Sequence, residues 1–170
     1  LKITPKEYRD KNAFTWEPIK EVAKLFATIF LTMIPAISML GHFNDKSSPL
    51  HSMSTLIKDS TGKDVEYMYF WLTGVLSSFL DNAPTYLAFF TTAIGANNVE
   101  WLMNSGNTLL AISCGAVFMG AMSYIGNAPN FMVKSIAEEN QIKMPSFFGY
   151  MFYSIIILIP LFIINSLIFF

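Results

Sequence analysis

Charge is what this chain has least of. Only 14% of its 170 residues are charged, while 53% are hydrophobic and 15% aromatic. An average soluble domain carries about 25% charged residues. Cysteine occurs once, at Cys114, which excludes an intrachain disulfide framework and a cysteine zinc site. Histidine occurs twice, at His42 and His51 in a polar stretch, and nearby carboxylates alone are a weak signal for metal. The net charge of −1 leaves no basic footprint, so no nucleic acid partner is expected. The first residue is Leu1, and no signal peptide follows it. Residues 1–21 read as a cytoplasmic connector, and the chain reads as the C-terminal part of a longer protein.

The missing charges are concentrated in three gaps. Between Glu66 and Glu100 the only ordinary acid or base is Asp81; between Glu100 and Lys134 there is none; after Lys143 there is none. These gaps, with an earlier apolar run, predict four membrane segments in residues 22–170. Residues 22–40 form a helix of about the length that crosses a bilayer, bent at Pro35. Residues 67–95, read as one helix, would span about 43 Å, well beyond a hydrocarbon core of roughly 30 Å. Broken at Leu80-Asp81-Asn82-Ala83, the same stretch gives two arms of about 20 Å. It is therefore predicted to be a re-entrant hairpin whose tip reaches the membrane interior. Residues 107–139 form an interrupted helix, and residues 146–170 a spanning helix bent at Pro160. With the N-terminus cytoplasmic, a re-entrant 67–95 puts eight Lys or Arg inside and three outside. A fully crossing 67–95 gives six against five, so the positive-inside bias favours the hairpin.

Asn-Ala-Pro occurs twice in this apolar sequence, at residues 82–84 and 127–129. Asn is a good helix N-cap, and Pro suits the first turn, so both motifs predict the start of a half-helix. Each start has unpaired N–H groups and a positive dipole end, which in hydrocarbon must be satisfied by protein, water or ligand. Two broken helices point to a transporter's midplane site. Asp81 beside one of them is costly at membrane depth and is a functional candidate by default, or else a structural N-cap for the second arm. Ser77, Ser78, Thr85, Ser123 and Asn130 flank the motifs as oxygen ligands for a small cation or donors to a carboxylate. Alternatively, they bond to their own backbone or to a neighbouring helix. Gly115, Gly120 and Gly126, with Ala116 and Ala121, read as sites of close helix packing.

SSFLDNAPTYLAFF followed by GAMSYIGNAPNFMVKSIAEENQIKMPSFFGYM resembles the C-terminal half of bacterial membrane proteins of the ion transporter superfamily, among sodium:proton antiporters and citrate transporters. The resemblance covers roughly residues 20–170. It implies one of two inverted repeats, each with a re-entrant hairpin and an interrupted helix whose tips form substrate and sodium sites. By that likeness Ser78, Asp81, Asn82, Ala83 and Pro84 match a hairpin tip, and Gly126, Asn127, Ala128 and Pro129 an interrupted helix. Thr85 and Ser123 complete the expected ion and substrate site, with Asp81, Asn82 and Asn127 as Na⁺ ligands. The dicarboxylate branch carries Ser-Asn-Thr at its tips. Here the tip is Asp-Asn-Ala-Pro, and Asp81 would repel an anion unless protonated or paired with a cation.

The sequence therefore leads to an all-α integral membrane protein, one inverted repeat with three spanning helices and a re-entrant hairpin. The function expected is Na⁺/H⁺ antiport, with cation-coupled transport of citrate or a related carboxylate as the alternative. No cofactor is expected beyond Na⁺ and H⁺ as transported or coupling ions. The partners implied are the lipid bilayer, the N-terminal half of the same transporter and a second copy in a homodimer, in the bacterial inner membrane as a multi-pass protein. An enzyme is disfavoured because one Asp at membrane depth supplies no acid/base pair. A non-transporting subunit is the remaining rival, distinguished by whether an upstream half carries its own hairpin motif.

Overall fold

The computed structural model describes residues 5–11, 20, 23–24, 27–28, 30–35, 38, 55–95 and 97–170. The chain separates into two units, Leu1–Thr32 and Met33–Phe170. In the first, Lys6–Lys11 form a short helix, α1. The described residues from 20 to 32 are helical, and Thr28 and Thr32 each donate a hydroxyl hydrogen bond one turn back, at 2.9 Å, to Lys24 and Thr28 carbonyls. Of the helix expected over 22–40, residues 23–24, 27–28, 30–35 and 38 are described and are helical; the rest lies outside the described residues, as do His42 and His51.

In the second unit residues 33–35, 38 and 55–57 are helical, and the helices with both ends described are α2 (Glu66–Ser77), α3 (Asn82–Ile94), α4 (Val99–Asn104), α5 (Thr108–Met119), α6 (Ala128–Glu139) and α7 (Phe147–Phe169). A 3₁₀ turn, Gly120–Met122, extends α5. Among the described residues there is no strand, only an isolated bridge between Lys58 and Asp64. That bridge closes a tight turn in which Asp59 accepts hydrogen bonds from Thr61 N (2.8 Å), Thr61 Oγ1 (2.6 Å) and Lys63 N (3.0 Å). Gly62 supplies the positive φ of 82° that the turn needs. The short helix α4 was not expected. Asn98 nucleates it by accepting from Trp101 N at 2.8 Å, a standard N-cap bond.

Three contacts fix how the long helices run. Glu66 Oε1, at the start of α2, accepts from Asn107 N at the start of α5 (2.7 Å). Asn107 Nδ2 donates to Phe169 O at the end of α7 (3.2 Å), and Trp71 Nε1 donates to Ser166 Oγ (3.2 Å). The starts of α2 and α5 and the end of α7 thus lie together. Tyr150 O–H, near the start of α7, donates to Ala121 O just beyond α5 (2.9 Å). So α2 and α5 run parallel, and α7 runs against them. From the shared end, twelve residues of α2 reach the break between α2 and α3, and twelve of α5 reach the break before α6. Twelve residues rise about 18 Å, slightly more than half of a hydrocarbon core of roughly 30 Å.

Glycine lets α2 and α5 approach. A Cβ on Gly115 would collide with the Phe70 carbonyl, and one on Gly74 with the Met119 side chain. This is the small-residue packing through which apolar helices associate where lipid supplies no hydrophobic drive. Around it the core gathers Ile57, Tyr69, Phe70, Phe89, Ile112 and Phe162. Phe70 meets Phe162 edge-on at 6.3 Å and Phe170 at 5.3 Å between ring centroids. Helix α7 is different: it is long and apolar enough to cross a membrane, and only 11% of its apolar window is buried. It passes through Pro160 without a break in helix.

Candidate functional site where two helix breaks meet

The two Asn-Ala-Pro motifs come together, but they are not built alike. At the second, Asn127 is the N-cap of α6, its Oδ1 accepting from Asn130 N at 3.0 Å, with Ala128 and Pro129 opening the helix. At the first, Asp81 takes that role. It has extended backbone, and its carboxylate accepts from Ala83 N at 3.1 Å. Of the two caps the sequence left open, Asn82 and Asp81, the structure has Asp81, and the expectation that Asn82 caps α3 is corrected. The helix already includes Asn82 and Ala83, and the break falls at residues 78–81. The physical reason is that aspartate and asparagine cap about equally well, so the residue one position earlier can take the cap and release its neighbour. Pro84 then occupies the third helical position, still within the turn whose N–H groups have no helical partner.

Released from capping, Asn82 reaches across to the other break. One end of its amide is surrounded by the carbonyls of Gly126 and Ala116 and the hydroxyl of Ser77. Carbonyls only accept, so that end is the NH₂, donating to Gly126 O at 2.8 Å with Ser77 Oγ and Ala116 O each at 2.9 Å. The opposite amide orientation would let Ser77 donate to Oδ1 at 2.9 Å, but would set that oxygen against two carbonyls. Ser77 Oγ has its own acceptor in Ala116 O at 2.6 Å.

Other side chains satisfy the unwound backbone. Ser78 Oγ donates to Gly74 O (2.9 Å) or Met119 O (3.1 Å). Ser123 O–H donates to Ser78 O, and its oxygen accepts from Ile125 N (3.2 Å) and Gly126 N (3.0 Å). Asn130 Nδ2 donates to Gly120 O (3.2 Å) and Ser123 O (3.1 Å), the carbonyls left over where α5 ends. Ser77, Ser78, Ser123 and Gly126 are all buried. A Cβ at Gly120 would strike the Asn82 amide, and one at Gly126 the Gly120 carbonyl, so both must be glycine for the breaks to touch. The arrangement solves the problem of irregular backbone away from water: each break lends the other its hydrogen-bonding partners.

Of the residues singled out from sequence, Ser77, Ser78, Asn82, Ser123 and Gly126 join in this network. Asp81, Asn127 and Asn130 lie at its edges, the first two as caps. Ala83 and Pro129 are exposed, and Pro84 and Ala128 half-buried. Thr85, one turn along α3 from Asp81, is 1% exposed, and its Oγ1 has no hydrogen-bond partner among the described residues. Asp81 itself is half-buried. Among the described residues no group of three or more His, Cys, Asp or Glu could hold a metal ion. A cation here would meet one carboxylate, hydroxyls and backbone carbonyls, hard oxygen ligands suited to a small hard ion.

Sequence reasoning overlooked Gly74, although its spacing with Ser77 and Ser78 on one side and Gly115, Ala116 and Gly120 on the other is a small-residue pattern. It also missed the aromatic support behind the second break. Tyr124 stacks on Tyr150 at 4.3 Å, its O–H donates to Pro145 O at 3.2 Å, and Lys134 Nζ sits 5.5 Å from its ring centroid. Nothing local in the sequence pairs residues 124 and 150.

Comparison with curated proteins and with solved structures finds no match. Comparison with protein families does: residues 1–170 match the family described as "Putative citrate transport". The match covers the whole chain, so this mostly helical protein, with its paired helix breaks and its exposed apolar α7, belongs to that citrate-transport family.

Proposed function

We propose that the chain forms one inverted repeat of a cation-coupled secondary transporter, with Na⁺/H⁺ exchange at Asp81 as its reaction. The observation that carries this reading is the meeting of two helix breaks about 18 Å from the end where α2, α5 and α7 gather, with Asp81 at the tip. Discontinuous helices at the midplane form the ion and substrate sites of many transporters. Asp81 contributes the charge that binds either H⁺ or Na⁺, and Thr85 Oγ1 lies one helical turn away from it. Asn127 and the start of α6 complete the polar lining. The remaining half of the site comes from an N-terminal repeat, and the transporter works as a homodimer, multi-pass in the bacterial inner membrane. No cofactor and no enzymatic step enters this mechanism.

A second reading, cation-coupled transport of citrate or a related carboxylate, is favoured by the family's description. In it Na⁺ or H⁺ at Asp81 neutralises the tip, and the start of α6 faces the anion.

Reconstituted full-length protein decides between them in the wild type, and Asp81→Asn tests the role of Asp81. Antiport predicts that Na⁺-dependent proton movement is abolished while expression stays near normal. In the wild type, apparent Na⁺ affinity should fall as pH falls, because the two ions compete for one carboxylate. Undiminished Na⁺/H⁺ exchange in the variant removes Asp81 from the mechanism. Na⁺-driven citrate uptake without proton antiport replaces the first reading with the second.

A further inference from the structure

We infer that Asn82 is a positioning residue and not an ion or substrate ligand: its amide clasps the hairpin break to the break before α6, so that the two tips move as one body. The inference rests on the reading of these breaks as a transport site. It departs from the sequence expectation, in which Asn82 binds Na⁺.

Three observations converge on it. The Asn82 NH₂ lies at 2.8–2.9 Å from three acceptors, two of them carbonyls of the neighbouring segment, Ala116 at the end of α5 and Gly126 in the break. Gly120 leaves space for that amide and for nothing larger, since a Cβ there would strike it. Ser123 and Ser78 make the reciprocal bond, Ser123 O–H to Ser78 O, from the second break back to the first. Two crossed links, the Ser123–Ser78 one buried and the Asn82 one half-buried, with close backbone approach between them, leave no freedom for one tip to slide past the other. Buried polar groups are costly to unpair, and separating the tips would strand at least four: the Asn82 amide, the Gly126 and Ser78 carbonyls and the Ser123 hydroxyl. Any rearrangement that exposes the site to alternate faces must therefore carry the hairpin tip and the end of α5 together and bend the chain elsewhere.

The test places spin labels at Phe79 and Ile125, exposed residues on the two breaks, in full-length protein with Cys114→Ser. In otherwise wild-type protein the distance distribution should be narrow and unchanged by Na⁺, pH or citrate. A distribution that shifts with any of these overturns the inference outright. Asn82→Asp keeps the shape but sets a carboxylate against two carbonyls. It should broaden the distribution and lower the maximal transport rate at least tenfold, with half-saturating Na⁺ changed less than threefold. Gly120→Ala should do the same by crowding the amide. A variant Asn82→Asp with an unchanged distance distribution, or with half-saturating Na⁺ raised tenfold at a normal maximal rate, would return Asn82 to the role of ligand. Absence of both Na⁺/H⁺ exchange and cation-coupled citrate uptake in the wild type would defeat the transport reading, while the distance measurements would still decide the clasp.

Discussion

At the scale of single residues, the two Asn-Ala-Pro motifs show how position outweighs identity. Asn127 caps its helix and Asn82 does not, because Asp81 precedes Asn82 and takes the cap. Removing the cap by Asn127→Ala should destabilise the first turn of α6 by about 1 kcal/mol, and Asn127→Ser should restore most of it. Hydrogen exchange at the amides of Asn130 and Phe131 reads this directly; equal exchange in all three proteins would mean the cap contributes nothing. A second residue-scale expectation lies outside the membrane segments. The Thr61 hydroxyl and the Lys63 and Thr61 amides hold the Asp59 carboxyl below the usual aspartate value of 3.8. Because the folded state lowers it, the turn's stabilisation is fully present above the unfolded value and is lost as pH falls through the lower folded one. Wild type and Asp59→Ala should therefore differ in local protection near Thr61 at pH 7 and converge in strong acid. A difference that grows on acidification would contradict this sign.

At the scale of elements, α2 and α5 pack by subtraction of side chains. Gly74 makes room for Met119, and Gly115 for the Phe70 carbonyl. Backbone cannot retreat as a flexible side chain can, so Gly115→Ala should cost about 1–3 kcal/mol, the usual range for overpacking. Gly74→Ala meets only the flexible Met119 side chain and should cost less. Thermal unfolding in detergent should rank Gly115→Ala below Gly74→Ala; the reverse order would show that the helix contact gives way more easily than the thioether. The helix pattern itself was largely readable, because 67–95 is too long for one membrane crossing and carries Asp81 at its middle. Helix α4 was not, since six residues with one cap give too little periodicity to mark a helix.

At the scale of the whole molecule, the expected topology follows from which ends meet. The turn at residues 58–64, α4 and the end of α7 lie toward the end where α2 and α5 begin, while residues 140–145 follow α6 beyond the breaks. In a Cys114→Ser background, single cysteines at Ser60 and Asn104 should be labelled from the same side of the membrane, and one at Gln141 from the opposite side. All three positions are exposed. Labelling of Ser60 and Asn104 from opposite faces would rule out a re-entrant 67–95. On α7, Phe148, Phe152, Ile156, Leu167 and Ile168 are exposed, as expected for a helix meant to be covered by lipid or by another copy.

What the sequence by itself determined is the helical class and the places where the helices break. Long intervals without charge, broken by one aspartate and two helix-starting motifs, are enough to place polar breaks inside apolar segments, because hydrocarbon excludes unpaired polar groups. The length of each arm follows from a fixed rise per residue. Only the tertiary structure decided what the breaks do to each other. Asparagine can cap, donate across a gap or ligate an ion; the preceding Asp81 takes only the first of these from Asn82, and local sequence does not choose between the other two. The choice at Asn82 depended on Ala116 and Gly126, far along the chain, presenting carbonyls to it, and on Gly120 lacking a side chain where the amide had to pass.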